Sequence, residues 1–258
     1  MSAPGTPLLL VRDVTMRFGG ITAVKALTMS IPRGALFGLI GPNGAGKTTI
    51  FNVLTGVYQP TEGEVQFDGV RIDGRKPYQI AERGIARTFQ NIRLFAGMSV
   101  LENVMTARHL RSKQVLADAV IGTSRHQTEE RDTKVRALEL LQIFGLDGVA
   151  DEDAASLPYG SQRRLEIARA LATEPTLLLL DEPAAGMNPQ ESLELMRLIR
   201  WVRDELKLTI LLVEHNMKVV MGICETIQVI DYGETIAVGA PAEIQRDPRV
   251  IEAYLGGG

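Results

Sequence analysis

The stretch Gly41-Pro-Asn-Gly-Ala-Gly-Lys47-Thr48 constrains this chain more than any other part of it. It matches G-x-x-x-x-G-K-[ST] at every fixed position, and it lies between a predicted strand at 35–40 and a predicted helix at 47–54. Glycines let consecutive backbone N–H groups curl around an anion, and the N-terminus of the following helix adds its positive end. We therefore predict a phosphate-binding loop, made of Gly41, Pro42, Asn43, Gly44, Ala45, Gly46, Lys47, Thr48 and Thr49.

Two side chains of this loop have predicted roles in binding a nucleoside triphosphate. Lys47 should reach the β- and γ-phosphates, and the Thr48 hydroxyl should bind Mg²⁺. The alternative is a glycine-rich turn that matches the pattern by chance, which the strand-to-helix context disfavours.

A second candidate site follows four consecutive leucines at 177–180, which predict a buried strand. The next residues are Asp181 and Glu182, and ligands of an open parallel sheet bind at the carboxyl ends of its strands. We expect Asp181 to hold Mg²⁺ and Glu182 to polarise the attacking water. An acidic turn that merely makes the strand end soluble is the alternative, and the phosphate loop argues against it.

His215 follows another buried apolar run, at 209–213. An isolated histidine is more often structural or merely exposed than catalytic. Its placement at an equivalent strand end nevertheless predicts a contact with the γ-phosphate.

The apolar pattern predicts an α/β core, an N-terminal antiparallel β patch and an inserted helical block. Predicted strands lie at 8–11, 27–31, 35–40, 64–67, 176–180, 209–213 and 227–230. Predicted helices lie at 47–54, 100–109, 133–144, 157–172 and 189–205. The polar stretch 111–131 predicts a loop or insertion, and the chain closes on a short glycine tail at 256–258.

Composition limits the partners of the chain. The 28 basic and 31 acidic residues give a net charge of −3, so no strong field favours nucleic acid, and we expect none as a partner. No apolar run approaches the roughly 20 residues that span a bilayer, and the N-terminus does not resemble a secretory signal. The single cysteine suits a reducing compartment. We expect a soluble cytoplasmic protein, with any membrane role exercised through a partner.

Two classes of nucleotide-binding protein fit poorly. GTP-binding switch proteins need N-K-x-D and D-x-x-G, and the sequence contains neither. A small-molecule kinase would have the phosphate loop, but usually not a carboxylate pair so far downstream, after a helical block.

The sequence resembles the ATP-binding-cassette (ABC) family over almost its whole length. The ordered elements are Phe18, the 41–48 loop, Gln90, the segment Leu157-Pro-Tyr-Gly-Ser-Gln-Arg-Arg, the 177–182 strand with its acids, 184–188 and His215. The segments 90–95, 181–189 and 247–256 further resemble the ATPase subunit of branched-chain amino acid importers.

The resemblance implies a P-loop NTPase (RecA-like) fold in one ABC ATPase domain, 1–258. A nucleotide-binding core with a β subdomain would comprise about 1–95 and 173–258, and a helical subdomain about 96–172. ATP and Mg²⁺ are the implied ligands.

The resemblance also implies residue roles. Phe18 would stack on adenine, although a phenylalanine at a strand end can instead face the core. Gln90 would place its amide oxygen near Mg²⁺ and the attacking water. Tyr159, Gly160 and Ser161 would clamp the γ-phosphate bound by a second copy. Pro158 stands where the family usually has serine, so one expected N–H and one hydroxyl are missing there.

The implied partners are a second ATPase subunit, identical or different, integral membrane permease subunits and, indirectly, a periplasmic or extracellular substrate-binding protein. The chain would lie on the inner face of the cell membrane. The apolar residues Ile92, Leu94, Phe95 and Met98 suit permease docking or, alternatively, inter-domain packing. Two other functions are a non-transport ABC ATPase acting on DNA or ribosomes and a nucleotide-dependent regulatory module without turnover. The single phosphate loop disfavours the first, and Glu182 and His215 disfavour the second.

Overall fold

A computed structural model describes residues 6–108 and 124–255. The chain divides into two compact units, and the second is inserted into the first along the sequence. The first unit comprises Met1–Arg87 and Thr176–Gly258, and the second comprises Thr88–Pro175.

The first unit contains two sheets. The N-terminal sheet is antiparallel, with strand order β2-β1-β4-β5, and the larger sheet has the order β10-β9-β3-β8-β7-β6. The strands are β1 (Leu9–Phe18), β2 (Ile21–Ile31), β3 (Leu36–Ile40), β4 (Glu62–Phe67), β5 (Val70–Arg71), β6 (Ile85–Arg87), β7 (Leu177–Asp181), β8 (Thr209–Val213), β9 (Thr226–Asp231) and β10 (Glu234–Gly239). Its helices are α1 (Lys47–Leu54), α2 (Pro77–Glu82), α6 (Pro189–Glu205), α7 (Met217–Ile223), α8 (Pro241–Ile244) and α9 (Pro248–Leu255).

The larger sheet is parallel except for the hairpin of β9 and β10. Every residue of β3, β7 and β8 is buried, as expected of apolar strands covered on both faces. The predicted α/β P-loop fold is thereby confirmed.

Strand register places the candidate site at one edge of this sheet. Val213 lies opposite both Leu39 of β3 and Asp181 of β7, so these three strands end at the same level. The phosphate loop, the acidic pair and the segment before His215 consequently leave the sheet side by side.

The second unit is helical. Its helices are α3 (Val100–Arg108), α4 (Ser124–Ile143) and α5 (Tyr159–Leu171), with short 3₁₀ turns at Asp147–Val149 and Ala154–Ser156. The three helices pack against one another. None of the helices within the described residues is both long and apolar enough to cross a membrane.

Two predictions of local structure need correction. For 111–131 the sequence predicted a loop or insertion, and the loop is wrong over 124–131, where α4 has already begun. Residues 111–123 lie outside the described part, as do His109 and the tail 256–258. Arginine, glutamine and glutamate form helices readily, but they leave no apolar stripe to detect.

The first two strands also extend well beyond the predicted 8–11 and 27–31. Their register shifts between Val11 and Val14 and again before Met16, and Asp13 and Ala26 have φ of +47° and +46°. Such bulges interrupt the alternation of buried and exposed residues from which a strand is predicted.

Candidate nucleotide site

The phosphate loop joins the end of β3 to the start of α1, as the sequence predicted. Gly46 has φ of +103°, and a Cβ there would lie 2.5 Å from the backbone oxygen of Ala23. Only glycine fits this position, because both the left-handed conformation and the close approach exclude a side chain. The loop is fixed from the other side by Gly233, whose N–H donates to the Ala45 oxygen at 3.1 Å.

Lys47 is buried at the first position of α1. Its Nζ donates to the backbone oxygens of Gly41 at 2.7 Å and Pro42 at 2.8 Å, which curls the loop around the ammonium group. Burial lowers the pKa of Lys47, whereas the charges of Glu182 and Asp181 act to raise it. The lysine therefore lies within the electrostatic reach of both acidic residues.

The N-terminus of α1 opens towards the loop. Within the described residues no side chain caps it, and Gly46 takes the N-cap position. Thr48 is exposed and Thr49 half-buried in the first turn, and Asn43 and Gly44 at the loop tip are exposed. Uncapped N–H groups and an exposed hydroxyl suit a phosphate with an associated cation.

Asp181 ends β7 and is only 4% exposed. Its Oδ2 accepts from Arg87 Nη2 at 2.8 Å, and Arg87 Nη1 donates to Asn52 Oδ1 on α1 at 2.7 Å. The same guanidinium lies 5.3 Å from the ring centre of Phe51. Arg87 thus connects the acidic strand end with the helix that begins in the phosphate loop.

Glu182 and His215 approach each other across neighbouring strand ends. The Glu182 Oε2 atom lies 3.5 Å from His215 Nδ1, with side-chain exposures of 15% and 57%. Glu182 has φ of +47°, and its N–H donates to the Val213 oxygen at 2.8 Å. The structure therefore brings together the carboxylate predicted to act on water and the predicted histidine.

Glu214 was assigned no role from the sequence, although it lies between these strand ends. It is completely buried, and it accepts from the N–H groups of Ala184 and Asn216. Burial raises the pKa of Glu214, while these hydrogen bonds and the adjacent His215 oppose the rise. The sequence could have indicated Glu214 through its position, since it is a charged residue directly after a buried apolar strand.

Phe18 ends β1 and is 41% exposed, so it does not face the core. Its ring meets that of Tyr58 edge to face, with centroids 5.1 Å apart. The remaining face of such a ring is suitable for stacking on a base.

The second unit carries the predicted clamp at the N-terminus of α5. Pro158 is the N-cap residue, Tyr159 is exposed, and Gly160 and Ser161 are half-buried. Gln162 holds the segment that leads into α5, since its Nε2 donates to the Leu157 oxygen at 2.8 Å.

Gln90 lies in the same unit with its side chain exposed. Arg163 of α5 donates to the backbone oxygens of Gln90 and, at 2.7 Å, of Phe89. Its partner Glu166 accepts from Arg163 at 3.0 Å and from the Phe89 N–H at 3.1 Å. This pair, which sequence reasoning missed, fixes the Gln90 backbone to the helix that carries the clamp.

The donor set fits Mg²⁺ held mainly by a bound nucleotide. Among residues 6–108 and 124–255, no group of three His, Cys, Asp or Glu side chains could hold a metal. The Thr48 hydroxyl and the Asp181 carboxylate are oxygen donors, and Mg²⁺ typically takes one or two protein oxygens together with phosphates and waters.

Comparison with known families and proteins gives a consistent result. Residues 24–185 match the family model described as ABC transporter, and residues 234–258 match the model described as Branched-chain amino acid ATP-binding cassette transporter. The chain is 45% identical to the high-affinity branched-chain amino acid transport ATP-binding protein BraF of Pseudomonas aeruginosa and 46% identical to LivG of Escherichia coli K12. Each alignment covers 97% of this chain and 98% of the relative.

Solved structures agree with these relatives. The ADP conformation of MJ1267, an ATP-binding cassette of an ABC transporter, matches with a TM-score of 0.84 and 29% identity over 97% of this chain and 99% of that chain. The dimeric post-hydrolysis structure of the cassette MJ0796, bound to ADP and Pi, matches with a TM-score of 0.77 and 26% identity, over 90% and 98%.

Proposed function

The chain belongs to the ABC transporter family, and on that basis we propose that it is the ATP-hydrolysing subunit of an importer for branched-chain amino acids. The observation that carries the proposal is the strand register, which places the end of β3, where the glycine loop with buried Lys47 begins, level with the end of β7, where Asp181 and Glu182 lie. The resemblance of the C-terminal residues 234–258 and of the whole chain to BraF and LivG supports the substrate class.

ATP is bound through its phosphates. Lys47 has three N–H donors and uses two on the Gly41 and Pro42 oxygens, so the third is directed to the β- and γ-phosphates. The N–H groups at the start of α1 add partial positive charge, and the exposed face of Phe18 supports the adenine.

Hydrolysis needs a group that accepts a proton from water as the water attacks the γ-phosphorus. We assign this role to Glu182, a partly buried carboxylate that directly follows β7 and lies 3.5 Å from His215. The new P–O bond forms as the bond to the ADP oxygen breaks, which releases ADP and phosphate. His215, close to Glu182, contacts the γ-phosphate and orients it for in-line attack.

The residues that would hold Mg²⁺ are Thr48, Asp181 and Gln90, through hydroxyl, carboxylate and amide oxygens. When bound, the ion neutralises charge on the phosphates. Arg87 keeps the Asp181 carboxylate at the strand end, in register with the phosphate loop.

A second ATPase subunit, identical or different, completes each site. Tyr159, Gly160 and Ser161 of one subunit close on the γ-phosphate held by the other, and the positive end of α5 favours that anion. Pro158 offers no N–H, so Gly160 provides the backbone donor of this clamp. The dimeric cassette MJ0796 supports such pairing.

The complex also needs integral permease subunits at the inner face of the cell membrane and, on the far side, a substrate-binding protein. Phe95 and Met98 are exposed in the segment after Gln90, and we assign permease docking to them. Transport is coupled because ATP favours the closed dimer over the open one, and hydrolysis removes that preference.

The test begins with purification of the tagged chain from its native membrane and identification of the integral subunits that accompany it. Uptake of labelled leucine is then compared with wild-type and Lys47→Ala chains in cells that lack the native gene. We expect co-purified permeases and leucine uptake with the wild-type chain only. Normal uptake of branched-chain amino acids without the chain, or purification with ribosomes or DNA instead of permeases, would contradict the proposal.

A further inference from the structure

Glu214 connects the two loops that carry Glu182 and His215. Its Oε1 accepts from the Ala184 N–H at 2.8 Å, and its Oε2 accepts from the Asn216 N–H at 3.3 Å. Ala184 lies two residues after Glu182, and Asn216 directly follows His215. We propose that Glu214 is a positioning residue that sets the placement of Glu182 relative to His215 for hydrolysis. This inference rests on the proposed ATPase function.

The chemical nature of Glu214 supports a role beyond packing. The side chain has zero exposure, and burial of a carboxylate is unfavourable unless its oxygens are hydrogen-bonded. An apolar residue would fill the same space and leave two backbone N–H groups without acceptors. A glutamine would replace one acceptor oxygen by an NH₂ group that faces another donor.

The Glu182 turn depends on this anchor. Glu182 has φ of +47°, a conformation that is unfavourable for a residue with a side chain. Two hydrogen bonds hold the turn. The Glu182 N–H donates to the Val213 oxygen, and the Ala184 N–H donates to Glu214. Glu214, which holds this turn, directly precedes His215 in the chain. The Nδ1 atom of His215 lies 3.5 Å from Glu182 Oε2.

Loss of Glu214 should misplace the base and leave the phosphate loop intact. Lys47 is held by the oxygens of Gly41 and Pro42, and the loop by the Gly233 N–H on the Ala45 oxygen. None of these groups is a hydrogen-bond partner of Glu214. Turnover should fall, whereas the apparent affinity for ATP should not.

The experiment measures kcat and KM for ATP in the purified complex with Glu214→Ala, Glu214→Gln and a matched control, Gln228→Ala. Gln228 is also buried in the larger sheet, and its Nε2 donates to the Thr28 oxygen at 3.0 Å and to Thr235 Oγ1 at 2.6 Å. We expect Glu214→Ala to lower kcat by about ten- to a hundredfold, the scale of a misplaced catalytic group, and to leave KM within about twofold. Glu214→Gln should lie between wild type and alanine, and Gln228→Ala should leave kcat within about twofold.

A double variant separates positioning from general destabilisation. With Glu182→Gln already present, Glu214→Ala should cause no more than about a twofold further loss, because the group it positions is gone. A kcat loss no larger than that of Gln228→Ala, a proportional rise in KM, or full additivity with Glu182→Gln would each overturn the inference.

If Glu214→Ala does not assemble, Glu214→Gln is measured against the same criteria, since it keeps the shape and one acceptor.

Two outcomes distinguish this inference from the function on which it rests. A wild-type complex without ATP hydrolysis would refute the proposed function, whereas normal turnover in both Glu214 variants would refute only the positioning role.

Discussion

Two buried arginine–carboxylate pairs have different roles in the two units. Arg87 and Asp181 in the first unit have side-chain exposures of 8% and 5%, and Arg163 and Glu166 in the second have 2% each. Arg87 joins side chains, because it connects Asp181 with Asn52 of α1. Arg163 instead donates mainly to backbone, to the carbonyl oxygens of Phe89 and Gln90, and in addition to the Tyr159 hydroxyl at 3.2 Å.

The difference shows how a buried charge can be used. At the sheet edge the Arg87 pair presents a carboxylate where phosphates are expected to bind, so its region should affect chemistry. In the second unit the Arg163 pair holds a loop and leaves the Gln90 and Tyr159 side chains exposed, so its region should affect stability. The following variants test that division.

The largest effect is expected at the sheet edge, in Glu182→Gln. The amide cannot accept the proton of the attacking water, so kcat for ATP hydrolysis should fall by about 10²–10⁴-fold with ATP binding retained. Steady-state turnover and equilibrium ATP binding by the assembled complex measure both quantities. Glu64→Gln, which alters a half-buried carboxylate paired with Arg12, is the control and should leave kcat unchanged. Wild-type turnover in Glu182→Gln would remove Glu182 as the base.

In the second unit, Arg163→Met should act on stability. It removes the ion-pair partner of the buried Glu166 and the donors of two carbonyls, so we expect a loss of about 3–5 kcal/mol in the free energy of unfolding. Arg136→Met is the matched control, because Arg136 and Glu139 form an i,i+3 pair with the same spacing at 63% and 52% exposure. That control should change stability by less than about 0.5 kcal/mol. Denaturant unfolding followed by circular dichroism measures both, and equal effects would contradict the contrast.

Lys47→Ala returns to the sheet edge and tests binding rather than turnover. Removal of one charge-assisted hydrogen-bond donor to the phosphates should weaken ATP affinity by about 10- to 150-fold. Lys25→Ala, which breaks an exposed pair with Glu234, is the control. Titration with a fluorescent ATP analogue measures the affinity. An unchanged affinity in Lys47→Ala would show that the loop does not bind the phosphates as proposed.

The smallest effect is expected at Cys224, which is buried. Burial raises the pKa of its thiol from 9.0 to about 12, so the folded protein keeps a proton that the unfolded chain loses. This contribution to stability is complete below pH 9 and declines as the pH rises towards 12. Native protein at pH 8 should therefore resist iodoacetamide, and denatured protein should react. Rapid labelling of the native state, detected by mass spectrometry, would contradict the burial.

Much of the sheet edge could be predicted because its parts are adjacent in sequence. The phosphate loop is one continuous stretch, and Asp181 and Glu182 directly follow their strand. The helix predicted at 189–205 was confirmed with the same bounds, since Asn188 caps it, Pro189 starts it and its buried residues recur at helical spacing.

Other features could not be predicted from local patterns. The first turns of α4 are polar, and the bulges of β1 interrupt its alternation. Arg163 lies 73 and 74 residues along the chain from its partners Gln90 and Phe89, and Ala184 lies 30 residues from Glu214. Nothing within a short window of sequence indicates such pairs. The roles of all the predicted site residues stay predictions: Phe18, the phosphate loop, Gln90, Tyr159, Gly160, Ser161, Asp181, Glu182 and His215.

Local chemistry in the chain was sufficient to establish the class of ligand, since glycine spacing, a lysine and two acids at strand ends suit a nucleoside triphosphate and little else. The folded molecule established how those groups are held: Arg87 against Asp181, Glu214 between two loops, and Arg163 beneath Gln90. Such contacts depend on strand register and helix packing, which bring distant residues within 3 Å of one another, and a buried charge becomes favourable only where those distant partners meet it.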